Sequence, residues 1–384
     1  MEAYFDNSAT TRVFDSVKDV VVKVMTEDYG NAAAKHLKGV EAENYIKEAR
    51  SIIAKTLKVQ DKEILFTSGG SESNNMALIG TAQAYKRAGN HIISSNIEHA
   101  SVYRPLEYLE EQGFEVTYLP VDHQGHIDLK ELEGALRPET ILVSIMYVNN
   151  EIGSVEPIEE ISKVIKKKNP DTLLHVDAIQ AYGKLEIYPK RQGIDLMSVS
   201  GHKLHGPKGV GFLYIGEGVK IKPLIYGGGQ QKGLRSGTEN VPGVAGLGEA
   251  VKEVFTNHQE KLDNLYGLKD YFMTRIQELD GVWLNSQPGR ESAPQIVSVS
   301  FEGIRSEVLL HALEEKEIYV SSGSACSINH PGVSGALKGI GVKKELLDGT
   351  LRFSFGLFNT REEIDYAMEA LKELLPILRR YKRG

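Results

Sequence analysis

Cys326 is the only cysteine in this chain of 384 residues, so an intrachain disulfide and a multi-cysteine metal site are both excluded and no metal site is expected. There is no uninterrupted apolar run of membrane-spanning length and no charged-then-apolar leader at the start. The expected compartment is therefore the cytoplasm, with no membrane partner. Positive charge is not in excess: 45 Lys and Arg stand against 52 Asp and Glu, a formal net charge of −7. That balance argues against direct binding of nucleic acid. The basic run Arg379-Arg380-Tyr381-Lys382-Arg383 reads as a helix C-terminus, where cations suit the dipole. No internal repeat or low-complexity tract interrupts the chain. With 41% hydrophobic and 25% charged residues, the composition is that of a globular protein. The length calls for two domains, or one large domain with an extension.

Periodicity predicts helices over Asp15–Glu27 and Val40–Val59, where Ile46, Ala49, Ile52, Ile53 and Leu57 share one face. From Glu63 the rhythm becomes strand, turn, helix. Strands are expected at Ile64–Thr67, His91–Ser95, Glu115–Leu119, Thr140–Tyr147, Leu173–Val176, Leu196–Val199 and Val210–Ile215. Helices of ordinary length separate most of them, which implies an α/β fold: a mixed, mostly parallel sheet in a large domain, covered by helices on both faces. A long helical stretch from Val241 to Leu279 reads as a domain connector. Beyond it, strands at Gln295–Phe301 and Arg352–Ser354 and helices at Ser306–Glu315 and Arg361–Arg380 suggest a smaller α+β domain. The expected division is 14–255 for the large domain, and 1–13 with 256–384 for the small one, which carries the Cys326 loop.

In open sheets of this class ligands bind off the carboxyl ends of the strands, and several unusual residues sit there. Lys203 lies in the turn Ser200-Gly201-His202-Lys203-Leu204-His205-Gly206-Pro207, just past a strand. Asp177 ends the strand before it. An amine and a carboxylate delivered by two strands to one sheet edge suit a Schiff-base cofactor with a pyridine ring. The amine holds the carbonyl, and the carboxylate keeps the ring nitrogen protonated. A solvated turn lysine is the competing reading. Gly69-Gly70-Ser71 precedes a helix, where free amides, a hydroxyl and the dipole suit a phosphate; a plain Gly/Ser helix cap is the alternative. Ser200 and His202 flank Lys203 as further donors, or simply form the turn. His99 either stacks on a flat ring or is an idle turn residue. Asn150 either forms an Asx turn or bonds a ring oxygen, a role also open to Gln180. Arg352 is a bidentate carboxylate clamp or a surface arginine. Cys326, among Ser, Gly, Asn and Pro, is a nucleophile on a loop or a small apolar residue.

Taken together, FTSGGSESNN, VNNEIGS, LLHVDAIQ, SVSGHKLHGPKGVG, GLRSGTEN, SSGSAC and LRFSFG resemble the motifs of the pyridoxal-phosphate cysteine desulfurases. The resemblance runs from YFDNSATT to the last helix. The serine-rich cysteine loop is similar to that of the iron–sulfur-cluster and nitrogen-fixation group. It implies fold type I of the pyridoxal-phosphate-dependent transferases, with pyridoxal 5′-phosphate as cofactor. It implies that Lys203 forms the Schiff base, Asp177 pairs with the pyridine nitrogen and His99 stacks on the ring. Asn150 and Gln180 would bond ring substituents, and Gly70, Ser71, Ser200 and His202 would hold the phosphate. Thr238 would reach the phosphate of the neighbouring subunit in a homodimer. Arg352, helped by Asn150, would bind the carboxylate of L-cysteine. Lys203 or His99 would shuttle the proton, and Cys326 would take the sulfur as a persulfide for an iron–sulfur scaffold or a tRNA-thiolation enzyme. A related lyase acting on selenocysteine, an aminotransferase and a non-catalytic scaffold are the competing readings; the loop thiol favours sulfur transfer, since an aminotransferase needs none, and the filled catalytic positions count against a scaffold. Two departures stand out. Ser71 replaces a threonine and keeps the hydroxyl, while Asn31-Ala32-Ala33-Ala34-Lys35-His36 replaces a Pro-Ser-Ser loop expected near the substrate.

Overall fold

The computed structural model describes residues 1–322 and 334–380. At its centre is a seven-stranded sheet in the order Ile64–Thr67, Gly211–Ile215, Leu196–Ser200, Leu173–Asp177, Thr140–Met146, His91–Ser95, Glu115–Leu119. Gly211–Ile215 pairs antiparallel with both its neighbours and every other pairing is parallel. The exception has a local cause: residues 201–210 are too few for a crossover helix, which needs about a dozen residues or more, so the chain doubles back. The remaining six strands all run one way, and their carboxyl ends share one edge.

The central strands are buried along their whole length, the pattern of a sheet covered on both faces. One apolar cluster joins Ile53, Leu57, Val143, Val176, Val199, Phe212 and Val251 on one face. A second joins Leu78, Ile92, Leu106, Leu142, Leu196 and Leu213 on the other. A third cluster gathers Ala3 and Phe5 with Phe272, Val299, Phe353, Ile364 and Leu371. It packs around a four-stranded antiparallel sheet in the order Ser321–Ser322, Thr350–Ser354, Ile296–Phe301, Val282–Leu284.

The stretch from Val241 to Leu279 is not one helix. It divides into Val241–Phe255 and His258–Ile276, and Asn257 between them adopts a left-handed φ of 50°. Asparagine tolerates that conformation better than most residues, and the apolar stripe on either side hides the break from periodicity. Arg352, placed by sequence at the start of a strand, is the third residue of Thr350–Ser354.

Buried polar groups stiffen the strand that carries Asp177. His175 is fully buried, with its ring nitrogens 2.8 Å from Ser144 Oγ and 2.9 Å from Ser198 Oγ on the two adjacent strands. Burial pulls its imidazole down to about 3, so the fold accepts the neutral ring and the unfolded chain takes up the proton. The stabilisation is complete above the ordinary value of 6.5. It is lost as pH falls below that value, at about 1.4 kcal/mol per pH unit. A His175→Gln protein removes this titration, so the gap between its urea midpoint and the wild-type midpoint should narrow from pH 7 to pH 5. An unchanged gap would contradict the assignment.

Candidate active site

The edge where the six strands end opens into a cavity of about 390 Å³, and each contributing strand delivers a different kind of group. After Ile64–Thr67 the chain turns at Gly69, whose φ of 146° admits only glycine without strain, and starts a helix at Gly70. That helix, Gly70–Asn75, continues through a π-bulge at Met76–Gly80 into Thr81–Tyr85. Its first-turn amides lack intrahelical partners and open on the cavity beside Ser71 and Ser200. A Cβ on Gly70 would come within 2.2 Å of Ile179 Cδ1, pressing that side chain toward the cavity it lines. Glu72 in the same turn is drawn away by Arg235, whose Nε donates to it at 2.8 Å, and by the Ser68 amide at 2.8 Å. The positive end of the helix is thereby left for an anion.

Asp177, at the end of its strand, lies on the cavity floor. Burial pushes its carboxyl up, while donors pull it back: the Ile179 amide at 3.0 Å and Asn74 Nδ2 at 2.8 Å. Lys203 closes a 3-10 turn, Gly201–Lys203, directly after Leu196–Ser200. Its Nζ donates to the carbonyls of Ser8 and, at 2.8 Å, Ala9. Lys184 Nζ donates to the Lys203 carbonyl at 2.7 Å; burial and the charge of Lys203 draw that buried ammonium down to about 7. His202 is pulled down to about 4 by burial and then by Lys203, Lys208 and Lys184, so it is neutral and able to donate a hydrogen bond.

His99 stands between His91–Ser95 and the helix Ala100–Glu111. Histidine is a disfavoured helix cap by residue type, yet here the ring performs that task, with Nδ1 accepting from the Ser101 amide at 3.1 Å. Burial lowers its pKa. Arg352, which lines the same cavity, is almost fully buried. It donates to the Asn150 carbonyl at 2.7 Å and to Asp6 Oδ1 at 2.8 Å, while its Nε has no partner. Gln180 Nε2 donates to the Ser8 carbonyl at 3.0 Å, leaving its buried Oε1 without a partner.

Gly70, Ser71, His99, Asn150 and Asp177 thus line the same cavity as Gln180, Ser200, His202, Lys203 and Arg352. Thr238 does not line it and is exposed on this chain. Cys326 lies outside the described residues; Ser321, five positions before it, lines the cavity. No residue of 31–36 reaches the lining; His36 instead caps the helix Leu37–Leu57. Among the described residues no cluster of three His, Cys, Asp or Glu could hold a metal ion.

Several participants escaped sequence reasoning, Ser101 among them. Asp6, Ser8 and Ala9 come from the N-terminal turn, which periodicity reads only as polar, and Asn74 is buried within a helix whose start drew attention to its glycines. The signal for the first three was the polar run Asp6-Asn7-Ser8-Ala9-Thr10-Thr11, too dense for an ordinary strand end.

The residues fit pyridoxal 5′-phosphate. The imidazole of His99 and the carboxylate of Asp177 line one cavity, the helix start at Gly70 suits a phosphate, and the buried amide oxygen of Gln180 has no partner within the chain.

Comparison with known proteins agrees with this chemistry. The class-V aminotransferase family matches residues 3–367. A cysteine desulfurase IscS from Dictyoglomus turgidum is 42% identical over 98% of this chain and 95% of its own length. One from Methanosarcina thermophila is 44% identical, over 98% and 92%. The structure of a NifS-like protein superposes with a TM-score of 0.93 at 40% identity, covering 98% of this chain and all of the other. SspA, solved in complex with cysteine, superposes at 0.81 with 36% identity, covering 93% and 100%. The chain belongs to the class-V aminotransferase family and, within it, to the cysteine desulfurases.

Proposed function

We propose that this enzyme converts L-cysteine to L-alanine with pyridoxal 5′-phosphate as cofactor and passes the sulfur through Cys326. The observation that carries this is the single cavity in which an amine, a buried carboxylate, a helix start and a buried guanidinium converge. When bound, the cofactor supplies an electrophilic carbonyl and a ring that accepts the electron pair freed at the substrate Cα. The chain supplies everything else. Gly70, Ser71, Ser200 and His202 would grip the phosphate through amides, hydroxyls and a neutral imidazole. Asp177 would hold a proton on the ring nitrogen, His99 would cover the ring, and Asn150 and Gln180 would bond ring substituents. Arg352, with Asn150, receives the substrate carboxylate. Its partnerless Nε and the Asp6-bound side of the guanidinium form the fork, so the substrate displaces Asp6. Lys203 Nζ would hold the cofactor, and the same amine would take and return protons at the substrate. The Cys326 thiolate attacks the substrate sulfur as the C–S bond breaks. A proton completes the methyl group of alanine, and Cys326 is left as a persulfide.

The same reading makes 14–255 one domain and 1–13 with 256–384 the other, supported by the helix break at Asn257 and the separate C-terminal apolar cluster. It makes the protein a cytoplasmic homodimer in which the exposed Thr238 grips the phosphate of the neighbouring subunit. No helix among the described residues is long and apolar enough to cross a membrane. The acceptor for the sulfur is an iron–sulfur scaffold or a tRNA-thiolation enzyme.

Incubation with L-cysteine and a thiol reductant tests this: sulfide and alanine should appear in equal amounts. Arg352→Lys, which cannot offer a planar fork, should raise KM about tenfold to a hundredfold, the worth of a charge-assisted hydrogen-bond pair. Pyruvate in place of alanine, or an unchanged KM in the variant, would contradict the assignment.

A further inference from the structure

His99 faces the cavity, but its proton is governed from behind. The Ser101 amide points at Nδ1 from 3.1 Å. A backbone N–H cannot be turned round, so a proton on Nδ1 would meet another donor head-on. Ser101 Oγ lies 2.8 Å from the same nitrogen and receives a hydrogen bond from Asn74 Nδ2 at 2.9 Å. A hydroxyl keeps a second lone pair, so it is the fixed Ser101 amide that requires a bare Nδ1, and the hydroxyl proton then goes to that nitrogen. The second N–H of Asn74 donates to Asp177 Oδ2 at 2.8 Å. Ionised to pair with the cofactor's ring nitrogen, Asp177 only accepts, so the amide of Asn74 cannot flip, and its fully buried Oδ1 is left without a partner as the cost of that orientation.

We propose that Asn74 and Ser101 are positioning residues that transmit the orientation demanded by Asp177 to His99 and lock it as the neutral Nε2–H tautomer. His99 then meets substrate and cofactor as a hydrogen-bond donor and not as a base, which leaves Lys203 Nζ to take the substrate proton. The charged groups facing the ring are Asp177 and Lys203. Burial and the positive end of the helix Ala100–Glu111 both favour the neutral ring. A neutral imidazole at a helix N-terminus polarises a carbonyl in another enzyme class by the same device. The assignment rests on the proposed function in placing His99 over the cofactor and in keeping Asp177 ionised.

The test is side-chain ¹⁵N spectroscopy of histidine-labelled, full-length protein loaded with pyridoxal 5′-phosphate, with the His99 signals identified by their loss in His99→Gln. Between about pH 6 and 8, where an ordinary histidine changes charge, Nδ1 should stay bare and hydrogen-bonded and Nε2 should stay protonated. Ser101→Ala removes one of the two donors, so Nδ1 should move toward the position of an unbonded nitrogen. Turnover should fall about tenfold to a hundredfold at unchanged KM, the usual scale for such supporting contacts. Ser101→Thr keeps the hydroxyl and should restore both readouts. Asn74→Ala should shift Nδ1 in the same direction; if that buried variant does not fold, the Ser101 pair decides. A proton on Nδ1 in the wild type, or ¹⁵N positions unmoved by Ser101→Ala, would overturn the proposal. A protein that shows the Nε2–H tautomer but consumes no cysteine would instead contradict the proposed function and leave the tautomer assignment standing.

Discussion

Replacing Lys203 with alanine should abolish turnover of L-cysteine, by about 10³-fold or more, the scale seen when a covalent catalytic group is removed. The protein should still bind pyridoxal 5′-phosphate through the helix start and Asp177, but borohydride should no longer fix the cofactor to the chain. The geometry says why Lys184 cannot substitute: its Nζ is committed to the Lys203 carbonyl. Lys203 Nζ is directed by the Ser8 and Ala9 carbonyls, which hold the amine at the cavity wall. A small amine added to the Lys203→Ala protein should recover part of the rate, because the cavity then has room for it. Retention of more than about one-hundredth of wild-type turnover would show that Lys203 is not the acting amine.

The second large effect concerns Cys326. Cys326→Ala should lose alanine and sulfide formation together, again by about 10³-fold or more, while cofactor binding and its absorption spectrum stay unchanged. These two variants fail differently. Without Lys203 the substrate is not activated. Without Cys326 it is activated, but its sulfur has no acceptor. Cys326→Ser separates the thiol from the shape of the side chain: it should be as inactive as the alanine variant, because an alkoxide is not available near neutral pH. A Cys326→Ala protein that forms alanine at the wild-type rate would return the chain to the simple lyases.

Much of this site was legible in sequence because parallel sheets obey a strong rule. Once six strands run one way, residues at their carboxyl ends meet, and Asp177 ends a strand while Gly70, His99, Asn150 and Lys203 follow strands. What stayed hidden depended on contacts without a local signature. The Ser8 and Ala9 carbonyls reach Lys203 across more than half the chain, and any residue type can offer a carbonyl. Asp6 pairs with Arg352 from the opposite end of the sequence. Asn74 is one polar residue in a helix, and only its distances to Asp177 and Ser101 give it a task. His99 shows a preference overridden: residue statistics disfavour histidine as a helix cap, but the fold uses its Nδ1 in that role and leaves Nε2 to the site. The helix break at Asn257 was concealed because the apolar stripe resumes beyond it, and a single left-handed asparagine leaves no periodic trace.

The most direct test of sulfur passage through Cys326 is a single turnover without reductant. Cofactor-loaded protein is mixed with an equal amount of ³⁵S-labelled L-cysteine, quenched, alkylated and digested for mass spectrometry. One alanine should form per active site, and the labelled sulfur should lie on the peptide containing Cys326, heavier by one sulfur atom. Alanine formed with the label free in solution, or on no cysteine, would contradict the account.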